Sequence, residues 1–217
     1  MRPGPGVEEG PMGQLARKLW ESLFLRSPTI IITGCGRSGT KYAATLISQA
    51  TGRPFGHEAP QEDGTAAWQL APLPRIPHTT YLHQVRHPLG TISSMQTAST
   101  QAWKYIEKFI KLTPDLTINC MRYWYYWNLI AQAKADLTYK VEAIEEVWPT
   151  LRRLLGIRKG IPKLPPNINS RRNTYTPLTW ELLEQKDPEL TKQIKALARL
   201  YGYKDIPQTP KKQEEDK

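Results

Sequence analysis

The sequence predicts an α/β protein, a three-layer sandwich whose mostly parallel central sheet is flanked by helices. Strand-like runs at 29–33, 80–85 and 137–141 are separated by stretches of helical spacing. Strands joined through helices lie parallel, with both faces of the sheet covered. Pro28 and Gly34 bracket the first run, and His87-Pro88 break the second.

Residues 1–12 are rich in Pro, Gly and Glu and read as a tail. Leu15, Leu19, Trp20 and Leu23 suggest a short amphipathic helix over 12–25, ended by Ser27-Pro28. The β-branched run 29–33 reads as a buried strand, 34–39 as a glycine-rich turn, and 41–49 as a helix running to Thr51-Gly52. Residues 53–78 read as mostly loop, with a short helix around 66–70. A second strand covers 80–85, and helices follow over 89–96, 100–112 and 115–135. Ile118, Met121, Tyr125 and Leu129 give the last of these one apolar face. A third strand at 137–141 leads to a helix over 144–155, ending near Gly156. Residues 157–178 form a long basic loop before helices at 179–185 and 188–201, with Gly202 as a C-cap. The chain thus divides into an N-terminal tail and helix (1–27), one domain (28–206) and a charged tail (207–217).

A chain of 217 residues suffices for one domain. The net charge of +10 favours anionic partners. Its basic residues are spread along the chain, with pairs at Arg152-Arg153, Arg158-Lys159, Arg171-Arg172 and Lys211-Lys212. No zinc-finger spacing or RNA-recognition signature accompanies them, which argues against nucleic acid. Two cysteines, Cys35 and Cys120, are too few for a disulfide framework or a zinc site and fit a reducing compartment. No apolar run nears the ~20 residues of a membrane span, and the start lacks the order of a secretory signal. The expectation is a cytoplasmic protein that binds neither membrane nor metal.

The segment from Gly34 to Tyr42 follows a strand and opens a helix, a setting that suits phosphate. An NTPase loop reads G-x-x-x-x-G-K-[ST]. Here Thr40 stands where that lysine belongs and Lys41 where the metal-binding hydroxyl belongs. Gly34, Gly36 and Gly39 match the spacing of a dinucleotide fingerprint, which also needs an acid about twenty residues on, after a second strand. Glu58 has that distance but reads as part of a Pro/Gly loop.

Arg37-Ser38-Gly39-Thr40-Lys41-Tyr42 resembles the 5′-phosphosulfate loop of sulfotransferases that use 3′-phosphoadenosine 5′-phosphosulfate (PAPS) and release PAP. Arg86 at a strand end and Ser94 eight residues later resemble that family's 3′-phosphate motif. The resemblance implies a P-loop-type fold, with Arg37 meeting the sulfuryl group. The loop amides from Gly36 through Ser38 and Gly39, with Thr40, would hold the 5′-phosphate, and Tyr42 would stack on adenine. Lys41 departs from a common family hydroxyl; it either replaces that contact as a point charge or faces solvent. Tyr139-Lys140-Val141-Glu142 looks like the family's late strand with an acid. Of two candidates for the basic loop over the 3′-phosphate, Arg171 and Arg172 are favoured over Arg158-Lys159-Gly160, because Arg158 follows a helix end where its charge needs no ligand.

Sulfuryl transfer is an in-line displacement, so Arg37 can neutralise charge without a metal. The small-molecule or glycan acceptor needs a base; related enzymes use a Glu or His after the first helix, which favours Glu58, then His57. His83 and His87 read as structural, Cys35 as packing, and the aromatic run Tyr123–Trp127 as mostly core. The competing readings are a P-loop kinase or NTPase, and a catalytically inactive nucleotide- or nucleic-acid-binding protein.

Overall fold

The computed structural model describes residues 30–61, 63–164 and 175–206, together with positions 14, 17, 18 and 21. In chain order the elements are β1 (Ile30–Thr33), α1 (Thr40–Thr51), β2 (Gly56–His57), β3 (Gly64–Ala66), a 3-10 turn (Trp68–Leu70), β4 (Thr80–Val85), α2 (Pro88–Met95), α3 (Thr100–Ile106), α4 (Leu116–Gln132), β5 (Leu137–Lys140), a second 3-10 turn (Val141–Ala143), α5 (Ile144–Leu155), α6 (Trp180–Lys186) and α7 (Pro188–Leu200). The strands form one sheet in the order β2-β3-β1-β4-β5, and every neighbouring pair is parallel. The predicted α/β architecture is present.

The two-residue period of a strand sends alternate side chains to opposite layers. Ile30, Ile32, Leu82 and Tyr139 pack with Ala43, Leu46 and Ile47 of α1 and with Val147, Trp148 and Leu151 of α5. Val85 packs on the other side with Ile92 of α2, Trp124 and Trp127 of α4, Leu183 of α6 and Ile194 of α7. Ile31 and Tyr81 join Leu70 and Ile76 in a smaller cluster.

The stretch 53–78, expected as loop, holds two strands of the sheet. They are two and three residues long, too short for any periodicity, and both begin with glycine, a poor strand former. Gly64 is needed there: a Cβ would lie 2.0 Å from the Ile30 carbonyl oxygen. The short helix expected at 66–70 is a 3-10 turn, because Ala66 still belongs to β3. In α4, Asp115 Oδ1 caps the amides of Thr117 and Ile118, and Lys186 Nζ reaches Asp115 Oδ2 at 2.6 Å. Positions 14, 17, 18 and 21 are helical, as the N-terminal pattern predicts. The rest of that helix and both tails lie outside the described residues. No helix among the described residues is long and apolar enough to cross a membrane.

Candidate functional site

β1 and β4 run side by side, with Thr33 opposite His83. The glycine loop therefore leaves the sheet beside Gln84 and Arg86, at the strand ends where parallel sheets bind ligands. Several elements pin this loop from outside. The Gly36 amide donates to Tyr123 Oη of α4 at 2.6 Å. Gln84 Nε2 donates to the Ser38 carbonyl at 2.7 Å, while Gln84 Oε1 accepts from the Tyr139 phenol of β5 at 2.6 Å. Arg86 Nη1 donates to the Arg37 carbonyl at 3.0 Å. Within the loop, Ser38 Oγ donates to the Cys35 carbonyl. Arg37 has φ +71°. A non-glycine residue there costs about 1–2 kcal/mol, and the surrounding bonds must hold it.

The helices that start at the two motifs share a feature. α3, α4, α6 and α7 are capped by Ser99, Asp115, Thr179 and Asp187, and α5 carries Glu145 and Glu146 in its first turn. Among the described helices, only α1 and α2 have neither a capping side chain nor an acid in the first turn. The orphan amides and positive dipole end of α1 are thus uncompensated beside Arg37, whereas the start of α2, beside Arg86, is met from outside by Glu142, whose Oε1 accepts from the amide of the N-cap residue His87 at 2.9 Å.

Arg86 lies over the first turn of α2: a Cβ on Gly90 would meet its guanidinium at 3.4 Å. Ser94 follows Gly90 by four residues and so shares its face. This is why a spacing of eight can bring Arg86 and Ser94 to one group. Arg37 Nη2 donates to Thr97, 3.2 Å from Oγ1 and 3.3 Å from the carbonyl oxygen. Thr40, buried at the start of α1, has its Oγ1 3.3 Å from His57 Nε2. Lys41 is exposed, and Tyr42 is half-buried against the α1 and α5 layer. Arg171 and Arg172 lie outside the described residues; Arg158 and Lys159 are exposed.

Glu58 lies in a loop, as expected, with φ +54°, but that loop directly follows β2, so a strand does precede it. The dinucleotide pattern is not thereby met, since β3 separates β2 from β1. His57 Nε2 lies 4.0 Å from Glu58 Oε1. Burial pushes the His57 pKa below its ordinary value; Glu58 opposes that shift and Lys41 adds to it.

His83 is buried, with Nε2 3.0 Å from Asn128 Oδ1 and Nδ1 3.2 Å from Thr138 Oγ1. Asn128 Nδ2 donates to the Trp124 carbonyl, so its oxygen faces the ring and His83 carries its proton on Nε2. His87 packs edge-on against Trp180 and Tyr203. The Cys35 thiol is buried and pushed well above its usual pKa, so it serves packing. Tyr123, Trp124 and Trp127 are core, whereas Tyr126 is exposed. Tyr123, Gln84 and Thr97 touch the loop although no motif marks them for that role. Among the described residues no group of three potential metal ligands occurs. No protein-family model, curated protein or solved structure matches the chain.

Proposed function

We propose that the chain is a sulfotransferase that moves a sulfuryl group from PAPS to a hydroxyl or amine of a small-molecule or glycan acceptor. The observation that carries the reading is the pair of arginines at adjoining strand ends, Arg37 at the uncompensated start of α1 and Arg86 at the start of α2, joined by the bond from Arg86 Nη1 to the Arg37 carbonyl. A donor with phosphates at both its 5′ and 3′ positions needs two anion holders, and arginine suits oxyanions through paired N–H groups. The acceptor oxygen or nitrogen attacks sulfur as the bond from sulfur to the 5′-phosphate oxygen breaks. PAP leaves with that electron pair, and the acceptor proton passes to Glu58, or to His57, whose lowered pKa keeps it neutral near pH 7. Arg37 neutralises charge on the group in flight.

The NTPase reading is disfavoured by Thr40 and Lys41, whose order is inverted and whose lysine is exposed. Thermal unfolding with PAP in metal-free buffer, with ATP-Mg and without ligand separates the readings. The sulfotransferase reading expects PAP to raise Tm without metal. Stabilisation by ATP-Mg alone contradicts it, and binding that weakens steeply with salt without nucleotide preference favours a nucleic-acid partner.

A further inference from the structure

Arg37 is held at both ends by the segment that follows β4. Arg86 Nη1 grips its carbonyl at 3.0 Å, and Thr97 accepts from its guanidinium Nη2 at 3.2 Å (Oγ1) and 3.3 Å (carbonyl oxygen). Thr97 stands in the turn that closes α2, where its amide and its hydroxyl both donate to the Ser94 carbonyl, at 3.3 and 3.0 Å. A hydroxyl has one proton, and that bond spends it. The Thr97 oxygen can therefore only accept from Arg37. The contact is half-buried, so water competes for it less than at an open surface.

We infer that Thr97 is a positioning residue that sets the Arg37 guanidinium before the donor arrives. An arginine side chain carries about 2 kcal/mol of rotamer entropy, and two acceptors on one nitrogen remove part of it in advance. The inference rests on the sulfotransferase reading, in which that guanidinium meets the sulfuryl group. PAP lacks the sulfuryl group, so Thr97 acts on PAPS affinity and leaves PAP affinity alone.

The test is calorimetric titration of PAPS and of PAP, without metal, into the wild-type chain, Thr97→Val and Thr97→Ser. Valine keeps the shape and the carbonyl but loses the hydroxyl acceptor; serine keeps both acceptors. Wild type is expected to bind PAPS more tightly than PAP. Thr97→Val is expected to lose about three- to tenfold of that preference with PAP affinity unchanged, and Thr97→Ser to restore it. A wild-type preference in Thr97→Val, equal weakening of both ligands, or no rescue by serine overturns the inference. Equal wild-type affinity for PAPS and PAP also overturns it while sparing the nucleotide reading. If wild type binds neither ligand, both fail.

Discussion

Arg86, two residues into the chain beyond Gln84 on β4, donates through Nη1 to the Arg37 carbonyl at 3.0 Å and so holds the loop that follows β1. One guanidinium serves two tasks, fixing a residue with positive φ and standing at the start of α2. Arg86→Lys keeps the charge and loses the planar fork. We expect PAP affinity to fall by about tenfold in Arg86→Lys and further in Arg86→Met, read by calorimetric titration. An Arg86→Met chain that binds PAP as wild type does would remove the second anion holder from the account.

Gln84 relays between strands and loop. Fully buried, it accepts from the Tyr139 phenol and donates to the Ser38 carbonyl. Gln84→Leu leaves both partners unpaired, each at about 1–3 kcal/mol, whereas Tyr139→Phe removes one donor. Urea unfolding should rank Gln84→Leu as the more destabilised; the reverse order would refute the relay.

Gly34 has φ +153°, and a Cβ there would lie 2.2 Å from the Gln84 carbonyl oxygen. Backbone must move, so Gly34→Ala is expected to cost several kcal/mol or to prevent folding. Gly52 also has positive φ, +71°, but nothing lies within 4 Å of its Cβ position. Gly52→Ala should cost only about 1–2 kcal/mol. Similar midpoints for the two variants in denaturant would contradict the close approach of loop and strand.

Burial lowers the His83 pKa from 6.5 to about 4. The folded state therefore binds fewer protons than the unfolded state between those values. The stability it contributes is full above pH 6.5 and is lost as pH falls towards 4, by roughly 3 kcal/mol at the lower end. His57, also lowered by burial, acts in the same direction. His83→Gln should be less stable at pH 7 yet show a flatter decline from pH 6.5 to 4. An unchanged slope would mean that His83 titrates alike in both states.

The legible parts of the fold are those whose signal is local. α5 has its predicted bounds, Ile144–Leu155, because an amphipathic pattern ends at Gly156, where φ is +64°. β1 is legible as a β-branched apolar run bounded by Pro and Gly, and β4 as a strand-like run that His87-Pro88 break. β2 and β3 carry no pattern of their own, and with them went the strand-end position of Glu58. The site divides in the same way. Arg37, Thr40, Arg86 and Ser94 stand in contiguous motifs, but the contact of Gly36 with Tyr123 spans 87 residues. Tyr123 read as core and is core; its phenol oxygen also holds the loop, a second role that periodicity does not carry. Thr97 lies in a turn of small polar residues, where nothing sets it apart until the Arg37 side chain is seen to reach it.

The central claim, two separate anion holders at the ends of β1 and β4, is tested most directly by titrating PAP and ADP into the chain in EDTA. The two nucleotides are isomers that differ in whether the second phosphate sits on the 3′ carbon or on the 5′-phosphate. The account predicts that PAP binds at least about tenfold more tightly than ADP, since only PAP reaches Arg86 and α2 as well as the glycine loop. ADP binding as tightly as PAP, or neither binding without magnesium, would contradict it.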